Sequence, residues 1–247
     1  MKPNLFIVGG QKCGTTALAS FLQQHPDICL VEGKEAHVFD SPRLQNVEKN
    51  IINEAYQAKL QHYSQQRYVC DATPIYCYLP GIMSRLASYS NNAKVIMLLR
   101  DPVDRAVSHY KMESRRGLEH RSMLRAFLIE SARLKKCEDK LADHSPWRIH
   151  SYLDRGRYTQ QLYSIYQSFD SEQVLILHND DLRHHHQATL QRVFEFLDIA
   201  EHDIAHQEIF AGQDKKMGFT DKLALLLARF ILRKDIQISN KYRFSTS

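Results

Sequence analysis

Cysteine is sparse and shows no paired pattern. The five residues, Cys13, Cys29, Cys70, Cys77 and Cys137, are odd in number and contain no C-x-x-C pair. This argues against a disulfide scaffold and a structural zinc site, and leads to the expectation of reduced thiols, no metal and a cytoplasmic location. Glycine (9) and proline (7) are too few for a collagen-like or mucin-like chain. No apolar run reaches the roughly 18 residues of a transmembrane helix. The short apolar stretch in MKPNLFIVGG meets a glycine turn too soon for a signal peptide. Charge of one sign is also modest, at a formal +5. Residues 209–247 hold eight Lys/Arg against three Asp, a surplus equal to that of the whole chain. That asymmetry favours an anionic ligand or surface, although solubility explains a charge of this size equally well. No nucleic-acid partner is expected.

What is present suits a globular chain: 247 residues, 43% hydrophobic and 10% aromatic. One domain over residues 1–247 is expected, with 209–247 as a basic helical annex. Residues 5–8 (LFIV) form a short apolar run before Gly9-Gly10 and predict a buried strand. Leu18, Phe21 and Leu22 predict a helix over 15–24, stopped by Pro26. Residues 28–31 and 68–70 are short strand candidates, and 46–66 reads as a polar surface helix. KVIMLL (94–99) is the strongest strand signal. Asp101-Pro102 follows it as an N-cap with proline at the first helical position, starting a helix to about Arg116. Helices are predicted over 122–142 and 159–169, then a strand at 173–177 and a helix through Val193, Phe196 and Leu197. Alternating strands and helices imply an α/β fold, a P-loop-like parallel sheet flanked by helices on both faces. Ligands of such sheets sit beyond the carboxyl ends of the strands. That directs attention to 9–16 and to Arg100.

Gly9-Gly10-Gln11-Lys12-Cys13-Gly14-Thr15-Thr16 joins a strand to a helix through a glycine turn. Backbone amides and the helix dipole there favour an anion. A triphosphate-binding loop would read G-x-x-x-x-G-K-[ST]. Gly9 and Gly14 keep that spacing, but Thr15 stands at the lysine position and the lysine lies earlier, at Lys12. The strand KVIMLLR ends in arginine, where a magnesium–ATP enzyme needs a metal-holding aspartate. Arg100, where a buried strand opens onto the ligand edge, and Ser108, two turns into the next helix, offer a guanidinium fork and a hydroxyl suited to a phosphate monoester.

Together, KxGTT after the first strand and R-D-P-x-x-R-x-x-S-x-Y after a central one (Arg100 to Tyr110) resemble the sulfotransferases that use 3′-phosphoadenylyl sulfate (PAPS). The resemblance extends to Lys34-Glu35-Ala36-His37-Val38-Phe39-Asp40, similar to the K-E-x-H-F-F segment of the glycan-type and bacterial branch. It includes Asp71-Ala72-Thr73-Pro74-Ile75-Tyr76, similar to that branch's substrate-cleft T-P-x-Y, and Arg155-Gly156-Arg157-Tyr158. It departs at Ala72, where many glycan sulfotransferases have lysine, and in the absence of an aromatic C-terminal ending. Asp214-Lys215-Lys216-Met217-Gly218 is a weak match to the family's late phosphate-binding loop.

The resemblance implies PAPS as donor without a metal. Lys12, Cys13, Gly14, Thr15 and Thr16 would hold the 5′-phosphosulfate, and Arg100, Ser108, Lys215 and Lys216 the 3′-phosphate. It assigns Lys12 to the leaving phosphate and Glu35 as base toward an acceptor hydroxyl or amine on a glycan, lipid or small molecule. Glu35, a carboxylate beside Lys34, can serve if partial burial raises its pKa toward neutrality. His37 is the rival base, since residues two apart in an extended segment face one side. Two alternatives stand beside this reading: a P-loop-like nucleotide kinase and a non-catalytic nucleotide-binding module. Among weaker signals, His184-His185-His186 and the clusters Arg115-Arg116 and 133–136 read as solvated helix surface. LALLLARFIL, flanked by Lys222 and Arg233-Lys234, suits core or dimer packing, with peripheral membrane contact through 222–234 as the other reading.

Overall fold

The computed structural model describes residues 2–207 and 218–244; Lys215 and Lys216 lie outside the described residues. Five strands, β1 (Leu5–Gly9), β2 (Ile28–Leu30), β3 (Tyr68–Asp71), β4 (Lys94–Leu99) and β5 (Val174–His178), form one sheet in the order β2-β3-β1-β4-β5. Every pairing is parallel. The helices are α1 (Thr15–Leu22), α2 (Lys49–Gln57), α3 (Ile82–Tyr89), α4 (Pro102–Arg115), α5 (Met123–Lys135), α6 (Pro146–Ile149), α7 (Tyr158–Tyr166), α8 (Asn179–His184), α9 (His186–Leu197), α10 (Phe219–Ile231) and α11 (Arg233–Lys241).

The sheet is parallel because its strands are apolar on both sides. All five residues of β1 and the last five of β4 are buried. Successive side chains point to opposite faces, so both faces are covered. Each fully buried aliphatic side chain contributes about 1.5–3 kcal/mol by leaving water. This is enough to fix the register, because a one-residue slip would exchange the faces. β1 lies between β3 and β4. The chain therefore leaves β1 at the point where strand order reverses, and the carboxyl-edge crevice opens there. Residues far apart in sequence, the loop after β1 and the segment after β4, become neighbours. The Gly10 amide donates to the Leu98 carbonyl of β4 at 2.7 Å.

α4 begins where the sequence indicates. The Asp101 carboxylate accepts from the Val103 and Asp104 amides at 2.9 and 3.0 Å, and Pro102 occupies the first turn. Several boundaries differ from expectation. The 46–66 helix shrinks to α2, because the residues after Gln57 turn to bring Tyr68 into the sheet. α5 stops at Lys135, short of 142. The helix after β5 is broken at His185 into α8 and α9. α3 carries no periodicity that the sequence reading isolated.

A second, smaller core lies beside the sheet. Val103, Ala106 and Val107 of α4 meet Met123, Ala126 and Phe127 of α5, with Tyr152 and Leu153, and Ala224, Ala228 and Leu232 close it from α10 and its end. Arg133 is not solvated surface as expected: it is largely buried and ion-paired to the buried Glu119, whose pKa falls to about 2, since Arg133 and the Arg121 amide outweigh burial. His186 departs likewise. It is buried against Phe21, ring centroids 4.5 Å apart, with Nε2 2.8 Å from the Ile204 carbonyl.

Candidate active site

The loop after β1 is shaped by Gly14, which caps α1 at φ +93. A Cβ there would lie 2.3 Å from Asn179 Nδ2, so both conformation and space demand glycine. The first-turn amides of Thr15 and Thr16 have no intrahelical acceptor and face the crevice end of α1. Thr15 is buried and Thr16 exposed. Cys13 turns inward, its thiol 3.5 Å from the Tyr158 hydroxyl, and burial raises its pKa. Its side chain thus packs the loop, and its amide is spent on the Gly10 carbonyl at 3.0 Å.

Lys12 is half-buried and, among the described residues, has no carboxylate at ion-pair distance. Its pKa is lowered, first by burial and then by Arg115, Arg116 and Arg100; Glu113 offsets only part of this. Arg116 pairs with Glu113 at 3.4 Å, so the excess positive charge centres on Lys12 beside a helix N-terminus, where a bound anion would relieve it. Arg100 closes the same loop from the β4 side: Nη1 donates to the Lys12 carbonyl at 3.4 Å, and Nη2 lies 4.0 Å from Asp104. Ser108 is half-buried one turn beyond Asp104, on the same helix face.

Across the crevice stands the 34–40 segment. Glu35 Oε1 is 2.5 Å from Lys34 Nζ, and Glu35 Oε2 is 3.1 Å from His37 Nε2. Lys34 Nζ also donates to Thr16 Oγ1 at 3.2 Å, which ties this segment to the donor loop. His37 Nδ1 reaches the buried Asp40 at 3.0 Å. The segment is not an extended strand, because Lys34 and His37 have φ of +69 and +52. Glu35 and His37 nevertheless share one side, joined by their own ion pair.

The expected upward shift of Glu35 is not what the surroundings produce. Burial pushes its carboxyl up, but hydrogen bonds and charge from His37 and Lys34 outweigh this and hold it below the usual carboxylate range. His37 is raised to about 9 by hydrogen bonds to Asp40 and Glu35, against its burial. At neutral pH it is therefore an imidazolium donor with no free lone pair. Stability from this pairing is fully present below the ordinary 6.5 and is lost as pH rises through about 9. The imidazole is half exposed, so that contribution is small. An NMR titration checks the assignment. The His37 ring is expected to titrate near 9 and to fall toward 6.5 in Asp40→Asn. A ring already neutral at pH 7 would remove the pairing.

Two features escaped the sequence reading. Asp40 is held by Arg148 Nη1 at 2.6 Å, and Arg148 also donates to the Asp40 carbonyl. The Arg148 and Trp147 carbonyls accept from Arg155 Nη2 at 2.8 and 2.7 Å, and Arg155 Nη1 donates to Gln11 Oε1. A continuous polar path thus links the loop beside Lys12 to the Glu35 segment. The spacing of His37 and Asp40 hinted at one link. Nothing local marks Arg148, which lies 108 positions from its partner.

Thr73 and Tyr76, expected in a substrate cleft, are fully buried. They work from beneath: Asp71 accepts from Thr73 Oγ1 (2.5 Å), the Tyr56 and Tyr76 hydroxyls (2.8 and 3.0 Å) and the Ala36 amide (3.2 Å). The Tyr76 oxygen in turn accepts from the Val38 amide at 3.0 Å. The motif holds the Glu35 segment in place. The five cysteines are all free thiols.

Fold and site define an α/β protein with a lysine-bearing glycine loop at the switch point of a parallel sheet, faced by a carboxylate segment. Residues 2–220 match the sulfotransferase domain model, and the chain belongs to the sulfotransferase family. It is 37% identical over 108 residues to the membrane-associated sulfotransferase kil1 of Dictyostelium discoideum, covering 44% of this chain and 22% of that protein. It is 29% identical over 197 residues to the mouse heparan sulfate glucosamine 3-O-sulfotransferase 3A1, covering 80% of this chain and 46% of that one. The matches therefore span less than half the length of these relatives. A solved sulfotransferase from Alicyclobacillus acidocaldarius superposes with a TM-score of 0.70 at 25% identity, over 96% of both chains.

Proposed function

We propose that this chain transfers a sulfuryl group from PAPS to a hydroxyl of a glycan-type acceptor. The observation that carries the reading is the half-buried Lys12, without an ion pair among the described residues, with Arg100 on its own carbonyl, at the N-terminal end of α1 and opposite Glu35. The residues fit the donor. Gly14 gives the loop the positive φ that starts α1 at the crevice, the amides of Thr15 and Thr16 await an acceptor, and Lys12 and Arg100 supply charge. PAPS supplies a phosphosulfate anhydride whose sulfur–oxygen bond breaks toward the 5′-phosphate as a new bond forms to the acceptor oxygen.

The chain's own part is positioning and charge. Lys12 neutralises the departing phosphate oxygen, helped by the Gly14–Thr16 amides and the Thr15 and Thr16 hydroxyls. Arg100 and Ser108 hold the 3′-phosphate, and Lys215 and Lys216 are assigned to the same end from the sequence. Glu35 accepts the acceptor proton. Its low pKa is compatible with this role, because the proton moves late, when bond formation to sulfur has made the acceptor oxygen strongly acidic. His37, already protonated, orients Glu35 and leaves the base role to it.

Incubation with labelled PAPS and a panel of glycosaminoglycan oligosaccharides, simple alcohols and amines tests the reading. Label is expected on a glycan hydroxyl. Phosphoryl transfer from magnesium–ATP in place of sulfuryl transfer would overturn it. The kinase reading has little support in the site, since Thr15 stands where such a loop needs lysine and β4 leads into Arg100.

A further inference from the structure

α10 has two apolar faces, and among the described residues only one of them is covered. Ala224 and Ala228, with Leu232 beyond, are buried against α4 and α5. Phe219, Leu223, Leu226 and Phe230 recur at helical spacing and are 77%, 38%, 61% and 69% exposed. At about 100° per residue these four fall within an arc of about 60°, opposite the buried alanines. Single exposed apolar residues are ordinary; a contiguous row of four with two phenylalanines marks an interaction surface.

Charge at the edges of the row selects what covers it. Lys222 and Arg229 are exposed along one side, and Arg233 and Lys234 at its C-terminal end. Arg233 lies over the Phe230 ring, 5.4 Å from its centroid. The carboxylates of this stretch are engaged elsewhere. Asp221 accepts from the Gly218 amide at 3.0 Å, and the buried Asp235 accepts from Thr159. The exposed Asp104 lies within electrostatic reach of Arg229 without pairing to it. A second copy fits poorly. Paired antiparallel, the Lys222–Arg229 edge of one row would run along the same edge of the other, cation beside cation. An apolar ridge rimmed by cations matches the boundary of an anionic bilayer, where rings and leucines enter the acyl region and basic side chains meet headgroups.

We infer that the exposed face of α10 docks this protein peripherally on an anionic lipid surface. No described helix is long and apolar enough to cross a membrane, so the contact is one of lying on the surface. The residues involved lie outside the donor and base sites, so docking stands or falls independently of sulfuryl transfer.

Vesicle sedimentation of the full chain tests this, using phosphatidylcholine alone and phosphatidylcholine with phosphatidylglycerol. Binding is expected only to the mixed vesicles and is expected to weaken with salt. It should fall about tenfold or more in the double variant Leu226→Ser/Phe230→Ser, and by about tenfold in Lys222→Glu/Arg229→Glu. Circular dichroism and a thermal melt confirm that each variant folds, as expected for side chains so exposed. Failure of the folded wild type to sediment with anionic vesicles at low salt overturns the inference. So does equal sedimentation of the Leu226/Phe230 variant. A lipid-independent dimer that needs Leu226 and Phe230 would assign the face to a second copy and overturn it too.

Discussion

Lys12→Ala is expected to lower kcat about 10³-fold, the scale on which loss of one preorganised charge at a developing anion is felt. The effect falls on kcat more than on KM, because the phosphate oxygen gains charge only as the sulfur–oxygen bond breaks. The fold should survive. Lys12 makes no ion pair among the described residues, and its ammonium is repelled by Arg100, Arg115 and Arg116, so its removal relieves strain between like charges. Lys12→Arg is not expected to rescue activity, since a planar fork replaces a compact point charge in a loop shaped by Gly14. Steady-state kinetics with saturating acceptor, beside a thermal melt, decides it. A kcat within about tenfold of wild type would remove Lys12 from the leaving-group role.

Glu35→Gln is expected to be nearly as damaging, at about 10²–10⁴-fold in kcat, the range for loss of a positioned general base. The amide keeps the shape and the contact with His37 but cannot take a proton. Affinity for adenosine 3′,5′-bisphosphate should be unchanged, because Glu35 belongs to the acceptor side. With one carboxylate gone, the His37 imidazole should titrate below its value of about 9. Retained turnover would transfer the base role elsewhere. A loss of bisphosphate affinity would mean that Glu35 serves the donor.

Some of this was legible in the sequence because it is local. KVIMLL is a strand buried on both sides, so its apolar run is continuous, and Asp101-Pro102 caps the next helix with bonds made within three residues. The glycine turn after β1 is local in its positive φ at Gly14, whereas the close approach of Asn179 to it is not. That the Lys12 loop and the Arg100 segment meet follows from strand order, which alternating strands and helices imply in outline. What was not legible depends on distant partners. The low pKa of Glu35 is set by Lys34 and by His37, whose charge depends on Asp40, itself fixed by Arg148 far along the chain. The resemblance to T-P-x-Y places Thr73 and Tyr76 in a cleft; that they fasten the segment above depends on contacts around the buried Asp71 that the motif does not show. Arg133 looked solvated for the same reason, since its buried partner Glu119 lies outside its helix. The break at His185 carries no proline or glycine and follows from burial of His186 against Phe21.

The central claim is that Lys12 and Arg100 grip opposite ends of one nucleotide. Isothermal titration with two ligands, adenosine 3′,5′-bisphosphate and adenosine 5′-monophosphate, separates the ends. Arg100→Ala should sharply reduce the preference for the bisphosphate and leave monophosphate affinity as in wild type. Lys12→Ala should weaken both ligands equally. An Arg100→Ala protein that still prefers the bisphosphate by the wild-type factor would contradict the claim.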